Sequence, residues 1–495
     1  MSVLWDALNN IDNFAIVLLL LSLSIALFYE MINGFHDTAN AVAMIIYTNS
    51  MKAGYSVIMA GIMNFIGVVL GGIGVAYVIV HLLPLDIMVS SNQNATLVMV
   101  FSLLISAVVW NLGTWYFGLP VSSSHSLIGS IVGVSIAFGM MNGFTFSQSV
   151  NWKVVYGILT ALAVSPLLGF GFAFLIMKLS RKFVKNPKFF KTPTGDKKKK
   201  PNFWMRTGII ATGAGVSFAH GSNDGQKGIG LIMIILIGIL PTYYALNMEA
   251  HQYKIMQTRD SAANLAKFYA DNNDTLTKLL DEKRLISALK IENKIAECNV
   301  NQVYNTTLEI SKKLDGLKSY SELSKEDRWK IHTAVLCSDN FFGQVEGAYK
   351  LIDKDKSDYI ADQRKQMITS TEYVPFWVIF AVALMLGIGT MIGYKRVVHT
   401  IGEKIGSKPI NHMQGTVSQA MAMITILLAN FAHAPVSTTH IVSSAVAGTM
   451  VAEPDGGVQK KTINTILIAW IFTLPVTAIM GAAIYVALSY ITKIA

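Results

Sequence analysis

Asn33-Gly34-Phe35-His36-Asp37-Thr38-Ala39-Asn40 stands inside an apolar run, roughly residues 13 to 48, that would otherwise cross a membrane uninterrupted. An aspartate in hydrocarbon is costly unless it lies on a polar pathway where ions, protons or polar groups compensate it. The interruption recurs. Gly221-Ser222-Asn223-Asp224-Gly225-Gln226-Lys227 repeats the pattern Gly-x-(His/Asn)-Asp-x-x-(Asn/Lys), again inside apolar sequence, so the two copies read as halves of one site. Both are expected to break the helix that carries them.

Composition sets the class. Of 495 residues 52% are hydrophobic and 14% charged, with mean hydropathy +0.46 and net charge +10. That balance, with charge confined to a few segments, is that of an all-α polytopic membrane protein. Met1 to Asn13 carries Asp6 and Asp12, no Lys or Arg, and no small-residue cleavage site follows, so it does not read as a removable signal peptide.

Five apolar segments, roughly 13–48, 53–83, 94–117, 120–139 and 152–180, precede a basic linker at 181–202. Five more follow, at 203–246, 373–394, 414–433, 435–452 and 462–490. Each is long enough, or nearly so, for about 30 Å of hydrocarbon, although those near 120 and 435 begin with polar residues and could be re-entrant. With each interrupted run counted as one crossing, Lys52, the linker lysines, Lys395, Arg396, Lys404, Lys408, Lys460 and Lys461 fall on one side, which is then cytoplasmic. Both termini lie on the other side. The run Lys197 to Lys200 reads as a topology signal and a contact for anionic lipid.

A second motif pair fixes the repeat. Pro120-Val121-Ser122-Ser123-Ser124-His125 matches Pro435-Val436-Ser437-Thr438-Thr439-His440, and Gly133 and Gly448 each follow their histidine by eight residues. From Asp37 to Pro120 is 83 residues and from Asp224 to Pro435 is 211, so the second copy carries 128 extra. These lie at 247–372, which is charged, free of proline and has Leu265, Phe268, Leu276, Leu279, Leu280, Leu285, Ile286 and Leu289 at helical spacing. The expected domains are a first transmembrane repeat at 1–180, the linker, a second repeat at 203–246 and 373–495, and a soluble helical insert at 247–372 on the non-cytoplasmic side. Five crossings per half is odd, so the second copy is inverted, the build of many secondary transporters.

The residue types suggest the chemistry. Freed N–H groups at a helix start favour an anion, and proline suits a first helical turn. Just after Pro120 and Pro435, Ser122, Ser123, Ser124, Ser437, Thr438 and Thr439 add hydroxyl donors suited to a tetrahedral oxyanion. Asp37 and Asp224 have the wrong sign for an anion and would repel it, so a cation, proton or metal is implied between them. Asn40, Asn223 and Gln226 offer neutral oxygens, and Lys227, standing where the first copy has Asn40, can pair with Asp224 or touch the oxyanion. Glu30, His36, His125, His220, His433 and His440 add candidates for a proton relay. The bland readings are that serine and threonine only bond back to helix carbonyls, that glycines such as Gly67, Gly71, Gly72 and Gly74 serve packing, and that a lone histidine satisfies a buried neighbour.

The two aspartate motifs and the two Pro-Val-Ser-x-x-His stretches resemble the inorganic phosphate transporter (PiT) family, and the whole chain resembles its bacterial low-affinity members. The resemblance implies import of inorganic phosphate through the inner membrane by proton symport, with phosphate also carried as a neutral complex with a divalent metal such as Mg²⁺. Members elsewhere in the family use sodium, and some carry sulfate. Carried over by position, Asp37, Asn40, Asn223 and Asp224 would hold the cation, with Asp37 and Asp224 also the acids for a metal. Ser122 to Ser124, Ser437 to Thr439 and Gln226 would hold the oxyanion. His36 stands where the family more often has Asn, which favours protons over a sodium site.

No resident cofactor and no nucleic-acid partner is expected; inorganic phosphate, membrane lipid and further copies of the chain are the partners considered. Cys298 and Cys337 are the only cysteines and would face an oxidising compartment, where a disulfide is an option that spacing cannot decide. His-Glu-x-x-His, Gly-x-Ser-x-Gly and Gly-x-x-x-x-Gly-Lys are absent, which argues against a hydrolase or ATP-driven pump. An anion or metal channel with a sensory extramembrane domain is the rival class.

Overall fold

The computed structural model describes residues 2–9, 13–83, 93–192, 201–279, 300–350, 352–392, 398, 405–454 and 456–492. The lysine run 197–200, Lys395, Arg396, Lys404, Cys298, Leu280, Leu285, Ile286 and Leu289 lie outside the described residues. So do the pairing considered for Cys298 and much of the charge pattern used to orient the chain. Among the described residues every regular element is a helix, and the chain divides into two compact units: Leu18–Pro84, Asn94–Ile234 and Pro375–Ala495 in the larger, and Met1–Val17, Leu85–Gln93 and Ile235–Val374 in the smaller.

In chain order the helices are α1 (Ser2–Asn9), α2 (Asn13–Tyr47), α3 (Ala53–Leu70), α4 (Gly74–Val80), α5 (Gln93–Tyr116), α6 (Ser123–Met141), α7 (Trp152–Phe183), α8 (Phe203–Ile239), α9 (Pro241–Tyr244), α10 (Gln252–Leu279), α11 (Val300–Leu314), α12 (Lys325–Tyr349), α13 (Lys354–Met367), α14 (Phe376–Thr390), α15 (His412–Phe431), α16 (Thr438–Ala452) and α17 (Lys460–Thr492). Six described helices are long and apolar enough to cross a membrane: α2, α3, α5, α6, α7 and α17. The apolar α14 is shorter, and α16 has 15 residues, about 22 Å at 1.5 Å each, less than a bilayer core.

The larger unit is built from reciprocal pairs. The motifs match α6 to α16, and chain order then matches α7 to α17 and α3 to α14; α6 packs along α17 while α16 packs along α7, and α3 packs on α14. Each of these pairs joins a helix that precedes the 181–202 linker to one that follows it. Two motif glycines make the packing close: Gly133 meets the backbone of Ala478 on α17, and Gly448 meets the backbone of Phe170 on α7, so a methyl at either would strike main chain. Each partner helix also carries one interior proline, Pro166 and Pro475.

The expected breaks at 33–40 and 221–227 are corrected: α2 and α8 run through both motifs without interruption. Their glycines serve approach instead of bending. Gly34 lies against the backbone of Leu386 and Thr390 on α14, and Gly221 against that of Asn64 on α3. Asp37, Thr38, Asn223 and Lys227 bond sideways to neighbouring elements, and the helical ladder stays closed. The chain breaks elsewhere. The apolar run 53–83 splits at Gly71–Ile73, where Gly72 takes φ 81°, and irregular stretches precede α6 and α16. Pro120 and Pro435 are likewise not in a first turn; they stand upstream of the caps Ser122 and Ser437, which accept from the backbone N–H of His125 and His440.

In the smaller unit α10 packs on α11 and α13, and α12 on α11 and α13. Leu265, Phe268 and Leu276, expected on an apolar face, are buried there with Phe342, Val345 and Ile360. Arg364 on α13 forks onto Asp339 of α12, Nε to Oδ1 at 3.0 Å and Nη2 to Oδ2 at 3.1 Å, and also pairs with Glu346.

Two outcomes are expected. Gly133→Ala and Gly448→Ala each cost about 1–3 kcal/mol through overpacking against backbone. Thermal unfolding of the detergent-solubilised protein should show similar losses for both and none for Gly113→Ala, where a methyl meets nothing within 4 Å. In the smaller unit, burial pushes the Glu372 carboxyl from 4.5 up to about 7, with Asp339 adding to the shift and Arg364 opposing it. The folded unit therefore keeps a proton that the unfolded chain has lost between these values, so its stability falls as pH rises from about 4.5 to about 7 and levels above that. Hydrogen exchange in α12 and α13, corrected for intrinsic rate, should show that slope, and Glu372→Gln should flatten it.

Candidate functional site

Helical spacing puts Asp37 and Asn40 on one face of α2, and His220, Asp224 and Lys227 on one face of α8. These faces meet the first turns of α6 and α16. Asp37 Oδ1 accepts from Thr439 Oγ1 at 2.7 Å, and its Oδ2 from Ser123 and Thr438 hydroxyls, both at 3.4 Å. Asp224 Oδ2 accepts from Thr438 at 3.3 Å. One threonine thus touches both acids, and hydroxyls from both Pro-Val-Ser motifs reach Asp37.

Two nitrogen-bearing side chains of α8, His220 and Lys227, lie against the acids. His220 Nε2 is 3.5 Å from Asp37 Oδ2 and 3.3 Å from Asp224 Oδ2, close to both without the alignment of a hydrogen bond to either. Lys227 Nζ donates to Asp224 Oδ1, Ser124 Oγ and the Val436 carbonyl, each at 2.5 Å. Asp37, His220 and Asp224 offer ligand atoms all within 4.8 Å of one another, so these three could hold a metal ion. Asn40 donates to Thr439 Oγ1 at 3.1 Å while its own carbonyl oxygen is buried without a partner among the described residues. His36 Nδ1 lies 3.3 Å from Asp37 Oδ1.

Several expected residues are placed differently. Gln226 follows Asp224 by two positions, which on a helix turns it to another face. There its Oε1 accepts from Val75 N at 2.8 Å and its Nε2 donates to the carbonyls of Gly71 and Ser222, at 2.7 and 2.6 Å. It caps α4 and closes the Gly71–Ile73 turn, so the structure does not bring it to the oxyanion donors. Asn223 holds the loop before α16, donating to Asn430 Oδ1 at 2.6 Å and Ala434 O at 3.1 Å and accepting from Val436 N at 3.3 Å. Its polar atoms are occupied there, not on the acids. Ser122 and Ser437 serve as caps, leaving Ser123, Ser124, Thr438 and Thr439 as the hydroxyls inside the site.

The histidine candidates separate. His125 and His440 form a ring pair at 4.6 Å, and His440 stacks on Trp470 at 3.8 Å, with His125 Nδ1 and His440 Nε2 buried and unpartnered. His433 takes φ 51° in the loop before α16 and lies against Gly74. Glu30 is fully buried, its two oxygens have no hydrogen-bond partner among the described residues, and it lies against Gly228 on α8.

Two residues escaped the sequence reading. Asn64 on α3 meets His220 Nδ1 at 3.0 Å through its Oδ1 and donates to Thr390 Oγ1 at 2.7 Å, which sets the ring that faces the acids. Asn430 on α15 pairs with Asn223 and donates to Ser222. A lone amide inside the otherwise apolar Ile62-Met63-Asn64-Phe65 stretch was the available signal for the first.

Residues 33–481 match the phosphate transporter family. The chain is 42% identical over 490 residues to the low-affinity inorganic phosphate transporter PitB of Escherichia coli (strain K12), covering 96% of this chain and 97% of that one. It is 42% identical over 485 residues to PitA of the same strain, covering 95% and 96%. A probable low-affinity inorganic phosphate transporter of Bacillus subtilis (strain 168) is 28% identical over 477 residues, covering 96% and 98%. Among solved structures, a sodium-dependent phosphate transporter matches with a TM-score of 0.54 at 19% identity, covering 96% of this chain and 100% of that one, a likeness of fold. The match runs from the first aspartate motif through the second Pro-Val-Ser motif and into α17, and on that extent the chain belongs to the phosphate transporter family.

Proposed function

We propose that this chain imports inorganic phosphate across the plasma (inner) membrane as a secondary transporter, by symport with a cation, and that the cation is a proton. Family membership supports phosphate as the solute. One observation carries the symport reading: hydroxyls from both Pro-Val-Ser motifs converge on Asp37, with Asp224 alongside, and His220 lies within 3.5 Å of both carboxylates. Donors suited to an oxyanion are engaged with buried acids, and acids repel an oxyanion unless a positive charge joins them. A proton received at the Asp37–His220–Asp224 group weakens the hold of the carboxylates on Ser123, Thr438 and Thr439. Those hydroxyls can then turn to phosphate oxygens, so cation and anion enter together.

The reciprocal packing of α6 with α17 and α16 with α7 supports two inverted five-segment repeats, about ten crossings, as the frame for alternating access. The charge pattern supports an insert and both termini outside the cytoplasm. Sodium remains the second reading, because the unpartnered Asn40 oxygen beside the Asp37 turn is the kind of neutral ligand that a sodium ion takes. The Asp37, His220 and Asp224 set equally suits a divalent ion entering as metal phosphate.

In proteoliposomes, labelled phosphate should accumulate uphill under an imposed proton gradient and collapse with an uncoupler; downhill flux indifferent to any gradient would establish a channel. Parallel runs with sodium gradients and with or without Mg²⁺ separate the cation and substrate readings. Asp37→Asn should insert normally but weaken binding of the coupled cation by about 30-fold or more, the consequence of removing one member of a buried charge pair. Proton-coupled uptake at the wild-type rate in that variant would defeat the mechanism.

A further inference from the structure

The two halves of the site are not electrically equal. In α2 the residue three after the aspartate is Asn40, which gives one N–H to Thr439 and leaves its buried oxygen unpartnered. In α8 the equivalent residue is Lys227, whose side chain is 3% exposed and whose three ammonium protons match three acceptors: Asp224 Oδ1, Ser124 Oγ and Val436 O. Nothing is left on that ammonium for another acceptor without breaking one of these bonds. It also spans both motif loops, since Ser124 lies in the first turn of α6 and Val436 just ahead of α16.

A symmetric site with an aspartate and an asparagine from each half would carry two uncompensated carboxylates and need two mobile cations. Here one is already neutralised by a covalently attached ammonium, which neither dissolves nor leaves during a cycle. We propose that Lys227 is a resident substitute for one of those two cations, so that a single exchangeable cation, taken on the Asp37 side, accompanies each phosphate. This rests on the symport reading above, and it adds what fixes the ratio. Lys227 is a positioning and charge-setting residue: its bond to Ser124 also holds one oxyanion donor at the place where Asp224 is neutralised.

The test is the charge carried per phosphate, measured in proteoliposomes from the reversal potential of phosphate flux under a potassium-valinomycin clamp. Lys227→Asn restores the residue of the first half; it should add one positive charge per phosphate and make uptake depend on sodium or lithium replacing choline. Lys227→Arg should keep the wild-type ratio. An unchanged ratio in Lys227→Asn, with no new cation requirement, overturns the proposal. If Lys227→Asn inserts but does not transport, its thermal unfolding in detergent decides: stabilisation by sodium or lithium that the wild type does not show supports the proposal, and its absence overturns it. Failure of the wild type to couple uptake to any gradient would instead remove the symport reading, which the same vesicles report separately.

Discussion

Two carboxylates buried within reach of one imidazole set the terms for the rest of the molecule. Ligand oxygens of Asp37 and Asp224 lie within 4.8 Å of each other, a repulsion of roughly 3 kcal/mol or more at an effective dielectric near 20. Removing each from water adds about several kcal/mol. A hydrogen bond to a charged group returns only about 1.5–3 kcal/mol. The hydroxyls of Ser123, Thr438 and Thr439 therefore cover part of that cost, and positive charge must cover the remainder. Lys227 does so permanently on one side. On the other, His220 is the nearest side chain able to hold such a charge, 3.5 Å from Asp37 Oδ2.

The scaffold meets this demand by distributing the site over both halves. Asp37 comes from α2, and its partners come from α6, α8 and α16. Asp224 has Lys227 and His220 on its own helix, but Asp37 meets its hydroxyl donors and His220 only when helices far apart in sequence have packed. The pairing of α6 with α17 and α16 with α7 brings the first turns of α6 and α16 together. Gly133 and Gly448 allow backbone-to-backbone approach at these crossings. Where hydrocarbon surrounds the helices there is little apolar driving force between them, so close packing and interhelical hydrogen bonds decide which helices pair.

Much of this was legible in the sequence because duplication is legible. Two copies of an aspartate motif and two of a Pro-Val-Ser motif marked residues that do meet: Ser123, Thr438 and Thr439 reach the acids, whereas Ser122 and Ser437, read as oxyanion donors, cap α6 and α16. The differences share one cause: sequence pattern runs along the chain, while polar groups in a membrane find their partners from the side. Gly34 and Asp37 looked like a helix break, yet Thr38 bonds back to the Gly34 carbonyl and across to Thr390 O, and the helix stays whole. Gln226 looked like a ligand because it stands beside Asp224, but its face of α8 meets the Gly71–Ile73 turn. That turn, with Gly72 at φ 81°, is the real interruption, and it sat in a segment read as one span. Asn64 was invisible as a site residue because its role exists only once α3 lies against α8.

Unbroken α2 and α8 change what can adjust during a cycle. The acids, His220 and Lys227 are fixed on continuous helices, whereas the hydroxyl donors sit at helix starts that follow irregular stretches. Those stretches are tied down by few groups: Trp470 donates to the Pro120 carbonyl, Ser124 and Lys227 to the Val436 carbonyl, and Asn223 clasps Ala434 and Val436. Two of these four groups, Asn223 and Lys227, come from the turns of α8 that carry Asp224, and both hold the stretch before α16. Lys227, one turn from Asp224, joins that carboxylate to the stretch before α16 with no bend in α8. The neighbours Asn223 and Asp224 thus divide the work, one facing the loop and the other the charge, and a helix that opened at the motif would separate them.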